Sequence, residues 1–130
     1  MRRFLPCLAA SLLLLAPGRA EAGIADGRLP EGSYRCEVYL LGMFLTLGDI
    51  HIKGTVYSGT AFFGGGQPGY NYQLGPNGEI AWLGPLGGFT SGGNSVALTQ
   101  VTDDGDRTAS FDIIMRQRDG AFNASTCTIL

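Results

Sequence analysis

Residues Ser33-Tyr34-Arg35-Cys36-Glu37-Val38-Tyr39-Leu40 alternate, with Tyr34, Cys36, Val38 and Leu40 on one side and Ser33, Arg35, Glu37 and Tyr39 on the other. A period of two is that of a β-strand with one face buried. That face carries Cys36, and the other cysteine expected in the mature chain is Cys127, three residues from the end. A first strand that can be tied covalently to a last strand says much about architecture. It says little about chemistry.

The chain opens with the three parts of a secretory leader. Arg2 and Arg3 are basic, Leu8 to Ala16 is an apolar core, and Ala20-Glu21-Ala22 is a small-x-small cleavage site. Residues 1–22 are therefore read as a signal peptide cut after Ala22, with a cut after Ala20 also acceptable. The apolar run falls well short of the ~20 residues of a bilayer span, and no second one follows, so no membrane span is expected. Cys7 precedes the apolar core and leaves with the leader.

Removing 22 of 130 residues leaves 108, one domain's worth. Loss of Arg2, Arg3, Arg19 and Glu21 reduces 9 basic and 11 acidic residues to 6 and 10, a net charge of −4. Nucleic acid and anionic membranes both call for a basic patch, so neither is an expected partner. Glycine, at 21 of 130 residues, is about twice its usual ~7% share. With 45% hydrophobic residues there is still enough for a core, so the glycines read as turns.

Residues 23–32 lack apolar pattern and are expected to be a short mobile lead-in. After the first strand and a turn at Leu41-Gly42-Met43, Leu45 and Leu47 point one way while Ile50 and Ile52 take the opposite phase. Gly48 between them marks a β-bulge. A third strand runs through residues 55–63, and a loop follows at 64–69. Tyr70–Leu74 and Glu79–Leu83 flank Pro76-Asn77-Gly78, the strongest hairpin turn in the chain. A second glycine-rich loop spans 84–94, then a strand at 95–101. Residues 108–116 fit a strand, and Phe111, Ile114, Met115 and Arg118 also fit one face of a short helix; the flanking Asp-Gly turns favour the strand. Residues 122–129 close the chain.

The expectation is an all-β fold: one antiparallel domain over residues 33–130, about eight strands in an up-and-down barrel, with a two-sheet sandwich as the alternative. In an eight-strand meander the start of the first strand lies beside the end of the last. Export places the chain in an oxidising compartment with two cysteines left, so Cys36 and Cys127 are expected to pair.

Candidate chemistry is sparse. His51 shares the outer face of its strand with Asp49 and Lys53, and no G-x-S-x-G accompanies it. One histidine without spare cysteines cannot supply the usual zinc set. Asp103-Asp104-Gly105-Asp106 reads as a hairpin turn rather than a calcium loop. The glycine runs lack the Lys-Ser/Thr of a P-loop, and Asn123-Ala124-Ser125 lies in a strand rather than a loop. No catalytic residue, metal or cofactor is expected, and the chain reads as a non-enzyme.

What remains is a surface. Phe89 sits among glycines and small polar residues, where no regular core is available. The loops at 64–69 and 84–94 enter and leave one hairpin, at the end opposite its turn. Phe89, Gly87, Gly88, Gln67 and Tyr70 are the candidate binding residues.

The segments Gly32-Ser33-Tyr34-Arg35-Cys36, Leu47-Gly48-Asp49-Ile50 and Gly78 to Gly88 resemble small exported bacterial β-rich proteins of unknown function. The resemblance implies a periplasmic or extracellular location and carries no site. The expected role is a monomeric domain that binds a protein or envelope component through its loops. The alternative is a small-molecule carrier with its ligand inside the barrel, as in lipocalin-like folds.

Overall fold

A computed structural model of the chain describes residues 22–59, 69–87, 90–91 and 93–130. The leader reading covers residues 1–22, of which 1–21 lie outside these. Nine strands follow one another: β1 (Gly32–Leu40), β2 (Met43–Lys53), β3 (Val56–Gly59), β4 (Tyr70–Leu74), β5 (Ile80–Trp82), β6 (Thr90–Ser91), β7 (Asn94–Asp103), β8 (Ser110–Arg116) and β9 (Phe122–Ile129). All pairs are antiparallel, in the order β5-β4-β3-β2-β1-β9-β8-β7-β6. Apart from the two-residue β6, eight strands make one nearly closed, barrel-shaped sheet. The barrel is the fold.

The phase change in β2 is a bulge. Cys36 pairs with Gly48 and Glu37 with Thr46, which leaves Leu47 as the extra residue. Gly48 has φ 127°, a backbone setting that favours glycine. Residues 110–116 are a strand, because β8 pairs along its whole length with β9 and faces β7 on its other edge. The Pro76-Asn77-Gly78 turn is three residues long. Gly78 N–H donates to the Gly75 carbonyl at 3.0 Å, Gly75 N–H to Glu79 at 2.8 Å, and Gly78 alone takes a positive φ.

The first and last strands pair, with Cys36 directly opposite Cys127. The weak seam lies elsewhere, between β5 and β7. There one β-bridge, Glu79 to Gln100, is followed by a cleft of about 330 Å³ whose lining includes Ala81, Trp82, Ala97 and Leu98. Val101 N–H donates to Gly78 O at 2.8 Å, and Trp82 Nε1–H donates to Thr99 Oγ1 at 2.7 Å across the seam. A three-residue strand is too short to zip along a ten-residue one, so side chains finish the closure.

The interior is filled by its own side chains. Tyr34, Tyr57, Tyr72, Trp82 and Phe111 are all buried. Trp82 touches three of these rings, with centroids at 4.8 Å to Tyr57, 5.6 Å to Phe111 and 6.0 Å to Tyr72. Edge and tilted contacts of this kind add to the area term of burial.

Of residues 23–32, expected to be a mobile lead-in, Gly32 opens β1 and 23–31 are packed against the barrel. Ile24–Asp26 form a single 3-10 turn, and Leu29 is 1% exposed in the core. Leu29 N–H donates to the Tyr72 hydroxyl at 2.9 Å, and the Tyr34 hydroxyl donates to Pro30 O at 2.6 Å. Ile24 N–H reaches Asp104 Oδ2 at 3.1 Å. The barrel end offers buried tyrosine hydroxyls that need partners, and this segment supplies them. Leu29 seats the segment there, and Ile24 packs against the same core.

Candidate functional site

Because the strands alternate in direction, the barrel has two unlike ends. The packed segment 23–31, the β4–β5 turn and the β7–β8 turn meet at one. The β1–β2 turn, the β8–β9 turn, and the ends of β3 and β5, which precede the two glycine-rich stretches of sequence, all belong to the other. The candidate site is this second end.

Its most exposed feature among the described residues is the β1–β2 hairpin. Val38 to Leu45 (Val-Tyr-Leu-Leu-Gly-Met-Phe-Leu) carries no charge. Val38 is the last β1 residue paired with β9; beyond it, Tyr39 pairs with Phe44 and Leu40 with Met43. On the outer side the Tyr39 and Phe44 rings meet edge-on at 5.0 Å, and both are exposed. They line a shallow hollow of about 240 Å³ with Glu37, Ala124, Thr126 and Thr128. On the inner side Leu40, Met43 and Leu45 continue the apolar face of the core into solvent. Leu41 caps the tip at 99% exposure.

The turn itself is unusual. Leu41 (φ 52°) and Gly42 (φ 81°) both have positive φ, the setting of a two-residue type I′ turn. Asn, Asp or Gly normally fill its first position, since a left-handed conformation costs a branched residue ~1–2 kcal/mol. Here a fully exposed leucine holds it. Sequence reasoning placed the turn but not this exposure, although the unbroken apolar run across a two-residue turn was the available clue.

The candidate loop residues divide. Phe89, Gly88 and Gln67 lie outside the described residues. Tyr70 is half-buried at the start of β4, its ring centroid 6.2 Å from that of Tyr57. A Cβ on Gly84 would lie 2.4 Å from the Tyr70 ring, so this glycine permits the chain to cross it. Gly87 is exposed, but a Cβ there would sit 2.1 Å from the Trp82 carbonyl oxygen. Between them Leu86 is fully buried, and its N–H donates to the Tyr57 hydroxyl at 3.3 Å. The root of the 84–94 loop is thus anchored in the core, and Gly87 and Tyr70 both serve that anchoring.

Other polar groups have local partners. Ser33 and His51, directly opposite across β1–β2, share a hydrogen bond of 2.7 Å between Oγ and Nδ1. Register alone positions that serine. His51 is exposed, and Asp49, two residues before it on the same face, is bound to Arg35 at 3.0 Å. Asp103 Oδ1 accepts from Gly105 N–H at 2.8 Å and from the Thr108 hydroxyl at 3.0 Å, as a turn-forming aspartate does. Among the described residues no cluster of His, Cys, Asp and Glu could hold a metal ion. Burial pushes the Tyr34, Tyr57 and Tyr72 hydroxyls above their ordinary pKa of 10.0. Those shifts belong to the core.

The disulfide points to an oxidising, exported compartment. No helix among the described residues is long and apolar enough to cross a membrane. The class is a small, filled, nearly closed antiparallel β-barrel with one packed end and one loop-bearing end. No family model matches this chain, and no curated protein or solved structure matches it.

Proposed function

We propose that this chain is an exported bacterial β-domain without catalytic activity that binds a protein or envelope component through its loop-bearing end. The observation that carries the proposal is the β1–β2 hairpin, whose apolar residues are held in solvent at the end from which the glycine-rich loops leave. An exposed apolar cluster of this kind is the usual mark of a contact surface. The leader and the disulfide support export. Phe89 is proposed as a further anchor on the same face, with Gln67, Gly87, Gly88 and Tyr70 forming or supporting its loops. The carrier reading is disfavoured by the aromatic side chains that occupy the barrel interior.

Native mass spectrometry of the protein purified from its own host tests the proposal. A co-purified protein or envelope molecule that is lost in Phe89→Ala, with an unchanged melting temperature, supports it. A small molecule retained by the barrel and unaffected by changes in the loops overturns it.

A further inference from the structure

We infer that the β1–β2 hairpin is a membrane-surface anchor: its tip inserts into the outer layer of a lipid bilayer, with Arg116 and Arg118 meeting lipid phosphates. The inference rests on the reading that the loop-bearing end is the binding face, and it names the partner.

The first argument is geometric. A flat protein surface covers one face of a hairpin and leaves the other wet. Here the outer face (Tyr39, Phe44), the inner face (Leu40, Met43, Leu45) and the tip (Leu41) are all apolar and all exposed. A medium that surrounds the element, as the acyl layer of a bilayer does, removes all of them from water at once.

The second is strain. Leu41 is 99% exposed at φ 52°, where Asn or Gly would serve the turn better. A residue that is unfavourable both for its conformation and for its solvent exposure points to a role outside the isolated fold.

The third is charge. Extending the β1–β9 register three residues past Val38 brings Leu41 level with Phe122, which is 64% exposed and pairs with Arg116. Arg116 thus stands two strands from the tip, roughly 10 Å at ordinary strand spacing. Arg118 lies on the adjoining turn, its stem against Gly93. Asp119 is the acid of that turn, and its Oδ1 accepts from Ala121 N–H at 2.9 Å. Glu37 lies four residues behind the tip, on the outer face.

The dimensions agree. From Val38 to Leu41 is roughly 10 Å of extended chain, the depth to which interfacial elements enter a bilayer. Tyr39 then falls at headgroup level, where tyrosine is favoured. With a net charge of −4 on the mature chain, apolar insertion rather than long-range attraction supplies the binding.

The test is flotation of the disulfide-intact mature chain with vesicles of phosphatidylcholine, alone and with phosphatidylglycerol. Co-flotation with both is expected. Leu41→Ser with Phe44→Ser should weaken vesicle binding at least tenfold at an unchanged melting temperature, since both residues are exposed. Leu41→Trp should show blue-shifted fluorescence that brominated acyl chains quench. A wild type that floats with neither vesicle overturns the inference, as does a double variant that floats equally well. If the wild type does not float, yet the double variant loses a protein captured from membrane-free envelope extract, the bilayer is wrong and the binding-face reading stands. If nothing is captured either, both fall. A dimer that depends on the tip, seen by sedimentation without vesicle binding, likewise overturns the bilayer.

Discussion

Cys36 and Cys127 face each other directly across the first and last strands, bonded, with Cα atoms 3.9 Å apart and both side chains fully buried. That close approach suits the narrow, non-hydrogen-bonded position of an antiparallel pair. The bond closes a loop with a sequence separation of 91. It fixes the one strand pair that joins the two halves of the sheet.

Replacing both cysteines with serine should therefore lower stability by as much as about 4–5 kcal/mol, the chain-entropy value for such a loop. Urea unfolding of the double variant beside the parent measures this. Because both sulfurs are buried, mild reductant without denaturant should leave the bond intact, which thiol counting by mass will show.

Leu29→Ala should cost about 2–5 kcal/mol, the range for a fully buried leucine. A segment that merely led into the barrel would give a change near zero. Hydrogen exchange at Leu29 N–H, bonded to the buried Tyr72 hydroxyl, should accelerate in the same variant.

Gly59→Ala should be strongly destabilising, by about 3 kcal/mol or more. The new Cβ would lie 2.2 Å from Asp49 O, in backbone rather than side chain, and φ at this position is 141°. Gly42→Ala, in open space, tests strain alone and should cost about 1 kcal/mol. Thermal melts of the pair separate the two effects.

Stability should fall on the alkaline side. Tyr34, Tyr57 and Tyr72 are raised above 10.0 chiefly by burial, and their hydroxyls donate to the carbonyls of Pro30, Leu83 and Gly54. In the unfolded chain they ionise near their ordinary value, so the folded state binds more protons above it. The stabilisation is whole below about pH 10 and is lost as pH rises toward the folded values. Melting temperature against pH, with tyrosinate absorbance, should show ionisation arriving together with unfolding.

The sequence by itself determined the strands and the bond. Period-two alternation in Ser33–Leu40, the phase break at Gly48 and the Asn77-Gly78 turn are local signals, and short-range sterics read them the same way in any context. The cysteine pair needed only the strand count and the compartment. Tertiary structure decided three things that no local pattern encodes. Leu29 and Ile24 show no strand or helix period in their stretch, and the buried hydroxyls of Tyr34 and Tyr72, with the core beneath them, gave that stretch a place. The weak seam fell between β5 and β7 because pairing length is a property of two strands at once. The apolar run from Val38 to Leu45 is the pattern of a buried hairpin; whether it is covered depends on how far its neighbours β3 and β9 extend. β9 makes no pair with β1 beyond Val38, so the tip stands in solvent, and a surface that composition alone would have assigned to the core became the candidate site.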